Sequence, residues 1–214
     1  MELPVATNLA SWQELAERYE ALFASERRYD ASYAAFAETL PAGARVLEAG
    51  CGPAFLLRYL SEHRSDVALH AADGAPSMLD LVQARLPQAC CHLFDLTQAQ
   101  QLPTGVWEGV ALPFCISYID EAATLTLLEA VWQAMATGGL LYLSFTAGAA
   151  HRSDWVQGST GHRMFFYFYH AGKLKAILQN QGWQLIYNER LAYYRRNGRE
   201  MHQMWVWQKP HQAV

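Results

Sequence analysis

The chain has 214 residues, 52% hydrophobic and 17% charged, and a formal net charge of −4 from 16 Lys and Arg against 20 Asp and Glu. So apolar a chain can bury a core, which excludes general disorder, and its slight acidity excludes a polybasic nucleic-acid surface. Its length suits one domain, or one domain with an added cap. The four cysteines are Cys51, Cys90, Cys91 and Cys115; without a CxxC pair they predict reduced thiols in a cytoplasmic protein. The opening MELPVATNLASWQE lacks the charged start and apolar run of a signal peptide. The longest apolar stretch, 110–119, contains Pro113 and is too short to span a bilayer. The eight histidines show no HxxxH or HxH spacing, so no metal site is expected.

The first 40 residues read as helix. Ser11 and Glu14 have capping-box spacing, and Trp12, Leu15, Ala16, Tyr19, Leu22 and Phe23 recur at helical intervals. A second helix starts near Asp30, with Tyr33, Phe36 and Leu40 on one face, and Pro41-Ala-Gly43 stops it. From Ala44 short apolar strands alternate with helices. The strands are 45–49, 67–72, 89–94, 107–114 and 140–145. The helices carry Leu56, Leu57 and Leu60; then Leu79, Val82 and Leu86 behind Pro76; then Leu125, Leu128, Trp132 and Met135, closed by Gly138-Gly139. A last helix with Leu174, Ile177 and Leu178 ends at Gly182, and strands at 183–187 and 201–207 flank a turn at Arg196-Asn-Gly198.

Strands alternating with helices imply a parallel sheet covered on both faces, and the final pair implies an antiparallel hairpin. The expected fold is therefore α/β: a Rossmann-like, doubly wound, mostly parallel seven-stranded sheet with a C-terminal antiparallel hairpin and N-terminal helices. One domain is expected over 1–214: a helical cap at 1–40, a cofactor-binding core at 41–150, and a lid segment, last helix and hairpin at 151–214.

In such sheets ligands bind beyond the C-terminal strand ends. The first strand is followed by Glu48-Ala-Gly50-Cys-Gly52-Pro-Ala54, where glycines let a ligand approach the backbone and the next helix offers its positive end. Asp73 follows the second strand, 21 residues beyond Gly52, where a carboxylate can accept both hydroxyls of a ribose. Asp95 follows the third strand, and Pro113-Phe114-Cys115 the fourth. A dinucleotide fingerprint needs a glycine where Phe55 stands, and pyrophosphate is repelled by the charge of Glu48. A cofactor with an amino group and a sulfonium cation is attracted by it.

VLEAGCGPAFLLRYL resembles motif I of the class I S-adenosylmethionine-dependent methyltransferases, an acidic residue followed by G-x-G-x-G. The resemblance continues through Asp73, FDL at 94–96, MATGGLLYLSF and KLKAILQNQGWQLI, covering roughly residues 40–208, and is to the small-molecule, type 11/12-like members. Ala54 stands for the usual third glycine and Glu48 for the commoner Asp. The resemblance implies that Gly50, Cys51 and Gly52 line the methionine part of S-adenosylmethionine and that Glu48 organises the loop. It implies Asp73 on the ribose hydroxyls, Gly74 and Met78 along adenine or ribose, Asp95 on the adenine amino group with the Leu96 N–H facing the ring, and Phe114 near the reacting methyl. The implied product is S-adenosylhomocysteine, and the expected acceptor is a small molecule, methylated by in-line displacement through proximity and orientation.

The resemblance names no catalytic residue. Position suggests Tyr169 and His170, at the end of the aromatic lid segment 161–170, and Tyr118, just past the fourth strand, as acceptor-side candidates. Tyr19 falls on the apolar stripe of the first helix and is also placed to cap the methionine end. Partners other than the small acceptor are not expected: no nucleic acid, no membrane, and a monomer or homodimer. Leu112-Pro-Phe114 lacks the polar residue and second proline of the amino-methyltransferase motif. The rival readings are an NAD(P)-dependent oxidoreductase with a Rossmann fold and a non-catalytic cofactor-binding protein of the methyltransferase fold.

Overall fold

The structure is a computed structural model that describes residues 4–157, 162–195 and 198–211. Helix α1 spans Pro4–Phe23, and α2 spans Asp30–Thr39. The Ser11–Glu14 box does not start α1. The helix begins seven residues earlier, at a proline suited to a first turn, and Ser11 is buried mid-helix. Helix α2 buries Tyr33, Phe36 and Ala37 and ends at Leu40, whose extended backbone is the conformation a following proline imposes.

Strand β1 (Arg45–Ala49) leads to α3 (Phe55–His63), β2 (Ala68–Asp73), α4 (Pro76–Arg85) and β3 (Cys90–Leu93). Strand β4 (Trp107–Pro113) leads to α5 (Glu121–Ala134) and β5 (Met135–Ala147). Two short strands follow, β6 (Asp154–Gln157) and β7 (Arg163–Phe166), then α6 (Ala171–Asn180), β8 (Gln184–Arg195) and β9 (Gly198–Gln208).

The main sheet has seven strands in the order β3-β2-β1-β4-β5-β9-β8. Strands β1 to β5 are parallel, and β9 lies antiparallel between β5 and β8. The aromatic segment becomes β7 of a separate antiparallel pair with β6. Strand β1 pairs with both β2 and β4, so the chain order reverses there and a crevice opens beyond the β1 and β4 ends.

Alternate residues of the central strands serve two cores. Leu141, Leu143 and Phe145 face α5 and α6 in one, with Trp205 and Trp207; Leu140 and Tyr142 join Phe36, Leu56 and Leu60 in the other. A third, small cluster docks α1 onto α4 through Ala16, Ala75 and Met78. That docking is reinforced by ion pairs from buried Glu20 to Arg58 and, at 3.0 Å, to Arg85. Asn8 ties α1 to β7 and to the turn after β4: its amide nitrogen donates to the Phe165 and Tyr118 carbonyls, and its oxygen accepts the Phe165 N–H.

Two boundaries differ from the sequence reading. Helix α5 ends at Ala134, and Met135 already pairs with Trp107; the register then jumps to Gly109 opposite Leu140, so Gly138-Gly139 form a bulge in β5 instead of a helix cap. The helix turns Leu127, Leu128 and Val131 inward, leaving Leu125 and Trp132 partly exposed. The terminal hairpin is also longer than its apolar centre. Ladder bonds carry β8 and β9 through Asn188, Glu189 and Arg199 to the pairing of Arg195 with Gly198; Arg196 and Asn197, where the sequence sets a turn, lie outside the described residues, as does Gly161 of the aromatic segment.

Candidate functional site

The turn after β1 is built from left-handed residues. Gly50 has φ +64°, Gly52 +52° and Ala54 +56°. Alanine pays about 1–2 kcal/mol for that conformation, and Ala54 is fully buried where it does so. The turn is pinned to β2. The Cys51 N–H donates to the Ala72 carbonyl at 3.0 Å, and the Gly52 N–H donates to Asp73 Oδ2 at 2.8 Å. Asp73 Oδ1 accepts the Ala75 N–H at 2.9 Å. Burial raises the Asp73 carboxyl above its usual range, and those N–H donors only partly oppose it.

Glu48 points from β1 to the start of α3, where its Oε2 accepts the Leu57 N–H at 2.9 Å. It serves as a distant cap for a helix whose own N-cap, Ala54, offers no side-chain acceptor. The carboxyl is 1% exposed, and burial pushes its pKa up to about 8 against the opposing pull of Leu57 N–H and Arg58.

Beyond β3, Asp95 Oδ1 accepts both the N–H and the hydroxyl of Thr97, which holds the loop in a tight turn. Beyond β4, Phe114 takes a left-handed backbone (φ +56°), and its N–H bonds the Ser144 carbonyl and hydroxyl. Strain of this kind costs about 1–3 kcal/mol and persists where surrounding contacts fix it. Here the Phe114 ring is held between Tyr29, at 5.2 Å, and His202, at 4.8 Å.

These loops enclose a cavity of about 700 Å³. Tyr19, Glu48, Gly50, Cys51, Gly52, Asp73, Gly74, Met78, Asp95, Leu96 and Phe114 all line it, and so does Tyr118. Tyr19 therefore sits at a wall, with its ring edge-on to Trp12 at 5.0 Å, and Trp12 in turn meets Tyr118. Helix α1 and strand β7 roof the cavity through Asn8, Leu9, Trp12 and Phe166.

Tyr169 and His170 do not line the cavity. Tyr169 is 6% exposed; its hydroxyl donates to the Ile119 carbonyl and bonds the Thr124 hydroxyl, each at 2.7 Å. His170 is exposed and caps α6 by accepting the Lys173 N–H on Nδ1. Both side chains are thus occupied in holding α6 and the loop after β4, which corrects their reading as acceptor-side groups. Tyr169→Phe is expected to cost about 1–3 kcal/mol of stability by leaving two buried partners unsatisfied, with ligand affinity unchanged; denaturant unfolding and calorimetry on one preparation check both halves.

The sequence reading missed Tyr29, Tyr33, Tyr193, Arg58 and His202, which also line the cavity. Tyr29 precedes α2, and His202 lies mid-strand in β9 opposite Thr146. Nothing local marks either residue. Only the order of the strands brings them together.

The chain matches the profile of a family described as Methyltransferase domain over residues 18–188. No curated protein matches it by sequence. Among solved structures it resembles Burkholderia thailandensis 1,6-didemethyltoxoflavin-N1-methyltransferase with bound 1,6-didemethyltoxoflavin and S-adenosylhomocysteine, with a TM-score of 0.72 at 15% identity over 98% of this chain and 92% of that one. It also resembles the N-methyltransferase NodS from Bradyrhizobium japonicum WM9 in complex with S-adenosylhomocysteine, with a TM-score of 0.72 at 12% identity over 96% of this chain and 100% of that one. A third similar structure is the DhpI complex with S-adenosylhomocysteine, with a TM-score of 0.69 at 18% identity over 98% of both chains. These identities speak for the fold. The profile match runs from α1 into β8, across every parallel strand and every loop of the cavity, and by that span the chain belongs to the methyltransferase-domain family.

Proposed function

We propose that the protein binds S-adenosylmethionine in this cavity and transfers its methyl group to a small-molecule acceptor. The observation that carries the reading is the placement of Glu48 and Asp73 on one cavity, either side of a turn that Gly50 and Gly52 open to the backbone. Asp73 already accepts two N–H groups, yet each carboxylate oxygen keeps a lone pair for a ribose hydroxyl. Gly52 has nothing within 4 Å of where a side chain would begin, which leaves room for a ligand beside the main chain. On this reading Gly50, Cys51 and Gly52 hold the methionine part and Glu48 its cationic end. Gly74, Met78, Asp95 and Leu96 take the adenosine, and Tyr19 and Phe114 flank the methyl.

The cofactor supplies an activated methyl on a positive sulfur. The protein binds, aligns the acceptor and excludes water, and such positioning accounts for most of the rate in an in-line displacement. A cavity of this size fits the cofactor and a small acceptor under one roof. Phe55 in place of the dinucleotide glycine disfavours NAD(P). The net charge of −4 disfavours nucleic acid, and four free thiols, two of them adjacent, favour a reducing cytoplasm. Among the described residues no helix is long and apolar enough to cross a membrane. The whole chain is read as one domain, working as a monomer or homodimer.

Calorimetry is expected to show binding of S-adenosylmethionine and S-adenosylhomocysteine and none of NAD; NAD binding alone would refute the reading. Asp73→Ala should weaken S-adenosylmethionine by about 1.5–3 kcal/mol, the scale of hydrogen bonds to a charged group. An unchanged affinity would remove the ribose assignment. Release of S-adenosylhomocysteine on incubation with a cell extract separates an enzyme from a non-catalytic binder.

A further inference from the structure

We propose that Tyr29, His202 and Glu200 form a proton relay at the acceptor end of the cavity, serving a flat aromatic acceptor whose attacking oxygen or ring nitrogen carries a weakly acidic proton. The inference rests on the methyl-transfer reading above and names its substrate class.

Tyr29 Oη lies 2.8 Å from His202 Nδ1, and Glu200 Oε2 lies 3.6 Å from His202 Nε2. The arrangement follows from strand geometry. Residues two apart in β9 share a face, which sets Glu200 beside His202, and the β9 register sets Tyr193 of β8 opposite Glu200. His202 is 5% exposed. Its ring is stacked on Tyr193 at 4.6 Å with an interplanar angle of 17°, and the Phe114 ring meets it at 4.8 Å with an interplanar angle of 62°. Glu200, Tyr29 and Tyr193 face the imidazole directly; behind Tyr193 lies the Arg28 guanidinium, itself paired with Glu26.

The Glu200 carboxylate favours the tautomer with the proton on Nε2, which leaves Nδ1 to accept from the Tyr29 hydroxyl. Tyr29 and His202 both line the cavity, and the relay requires the Tyr29 oxygen to meet the acceptor there. The cavity walls next to His202 are aromatic, with Tyr29, Phe114 and Tyr193 packed around it, and suit a flat ring. Phe114, which borders the assigned methyl position, is 5.2 Å from Tyr29 by ring centroids.

The step balances without another reagent. The acceptor heteroatom's electron pair forms the new bond to the methyl carbon as the carbon–sulfur bond breaks, its pair staying on sulfur. The acceptor's proton passes to Tyr29 Oη while the Tyr29 proton passes to His202 Nδ1. The resulting imidazolium is held against Glu200. An acceptor that arrives already deprotonated needs none of this, so the relay selects for weak acids.

The test reads ionisation, not turnover. The full-length protein, saturated with S-adenosylhomocysteine, is titrated with 4-nitrophenol and 4-nitroimidazole, whose absorbance reports their charge. The relay is expected to raise the ionisation constant of a bound probe about tenfold over that in water, as an adjacent cation does. His202→Gln and Tyr29→Phe should abolish that gain, and Glu200→Gln should reduce it, while affinity for S-adenosylhomocysteine is retained. Failure of either probe class to bind, or equal ionisation in wild type, His202→Gln and Tyr29→Phe, overturns the relay. Should His202→Gln not fold, Tyr29→Phe decides alone. Absence of S-adenosylhomocysteine binding in the wild type would instead defeat the methyl-transfer reading itself.

Discussion

Gly50→Ala is expected to destabilise the protein by about 2–5 kcal/mol, the sum of a left-handed backbone and an overpacked contact. An ideal Cβ on Gly50 falls 2.5 Å from Cys115 Cβ and 2.9 Å from Leu96 Cδ1; the Leu96 methyl can swing aside, but the buried Cys115 Cβ moves only with its backbone. For a chain of this length the loss corresponds to a fall in Tm of roughly 5–20 °C. Gly52→Ala is the informative contrast. Its φ of +52° imposes similar backbone strain, but its Cβ meets nothing within 4 Å. Ala54 shows that the turn accepts a methyl in this conformation. Gly52→Ala should therefore cost only about 1–2 kcal/mol of stability and act chiefly by crowding the ligand. Thermal melts with calorimetry on both variants separate the two outcomes; equal destabilisation would show that backbone strain, not the Cys115 contact, governs this turn.

How much of this was legible depends on how local the information is. Strand β1 was read to the residue because a short apolar run flanked by Gly43 and Gly50 has few alternatives. The loops that follow parallel strands inherit their place from topology, so a doubly wound parallel sheet is enough to bring Glu48, Asp73, Asp95 and Phe114 to one cavity. The failures were of another kind. Gly138-Gly139 carried a helix-stop signal, but the same residues serve a bulge that only pairing with β4 and a bond from Gly138 N–H to the Lys209 carbonyl make stable. Asn188, Glu189 and Arg199 fall outside the expected strands 183–187 and 201–207 because ladder bonds, not apolar alternation, extend β8 and β9. Tyr29 and His202 stand 173 residues apart, and no periodicity links them; the insertion of β9 next to β5 does. Tyr169 and His170 looked functional by nearness to the lid in sequence, yet their polar atoms serve Thr124, Ile119 and Lys173.

Glu48→Gln is expected to stabilise the free protein at pH 8 while weakening its hold on a cationic ligand. Burial lifts the Glu48 carboxyl from 4.5 to about 8, so the folded state binds a proton that the unfolded state has released between those values. Stability then falls as pH rises through that window and is level above it, since rising pH works against whichever state holds more protons, here the folded one. Glutamine can keep the bond from Leu57 N–H and carries no charge to desolvate. The variant should match wild type near pH 4.5 and exceed it at pH 8 by on the order of 2–4 kcal/mol, read as roughly 4–16 °C in Tm. Binding has the opposite sign. A sulfonium or ammonium beside Glu48 favours the carboxylate, so uptake of S-adenosylmethionine at pH 7 should release about one proton, and affinity should climb toward tenfold per pH unit between pH 6 and 8. Calorimetry in two buffers of different ionisation enthalpy counts that proton. In Glu48→Gln the release should vanish; any residue of it belongs to Asp73, whose carboxyl burial also raises. Wild-type affinity that ignores pH across this range, with no proton released, would mean that Glu48 caps α3 and does nothing for the ligand.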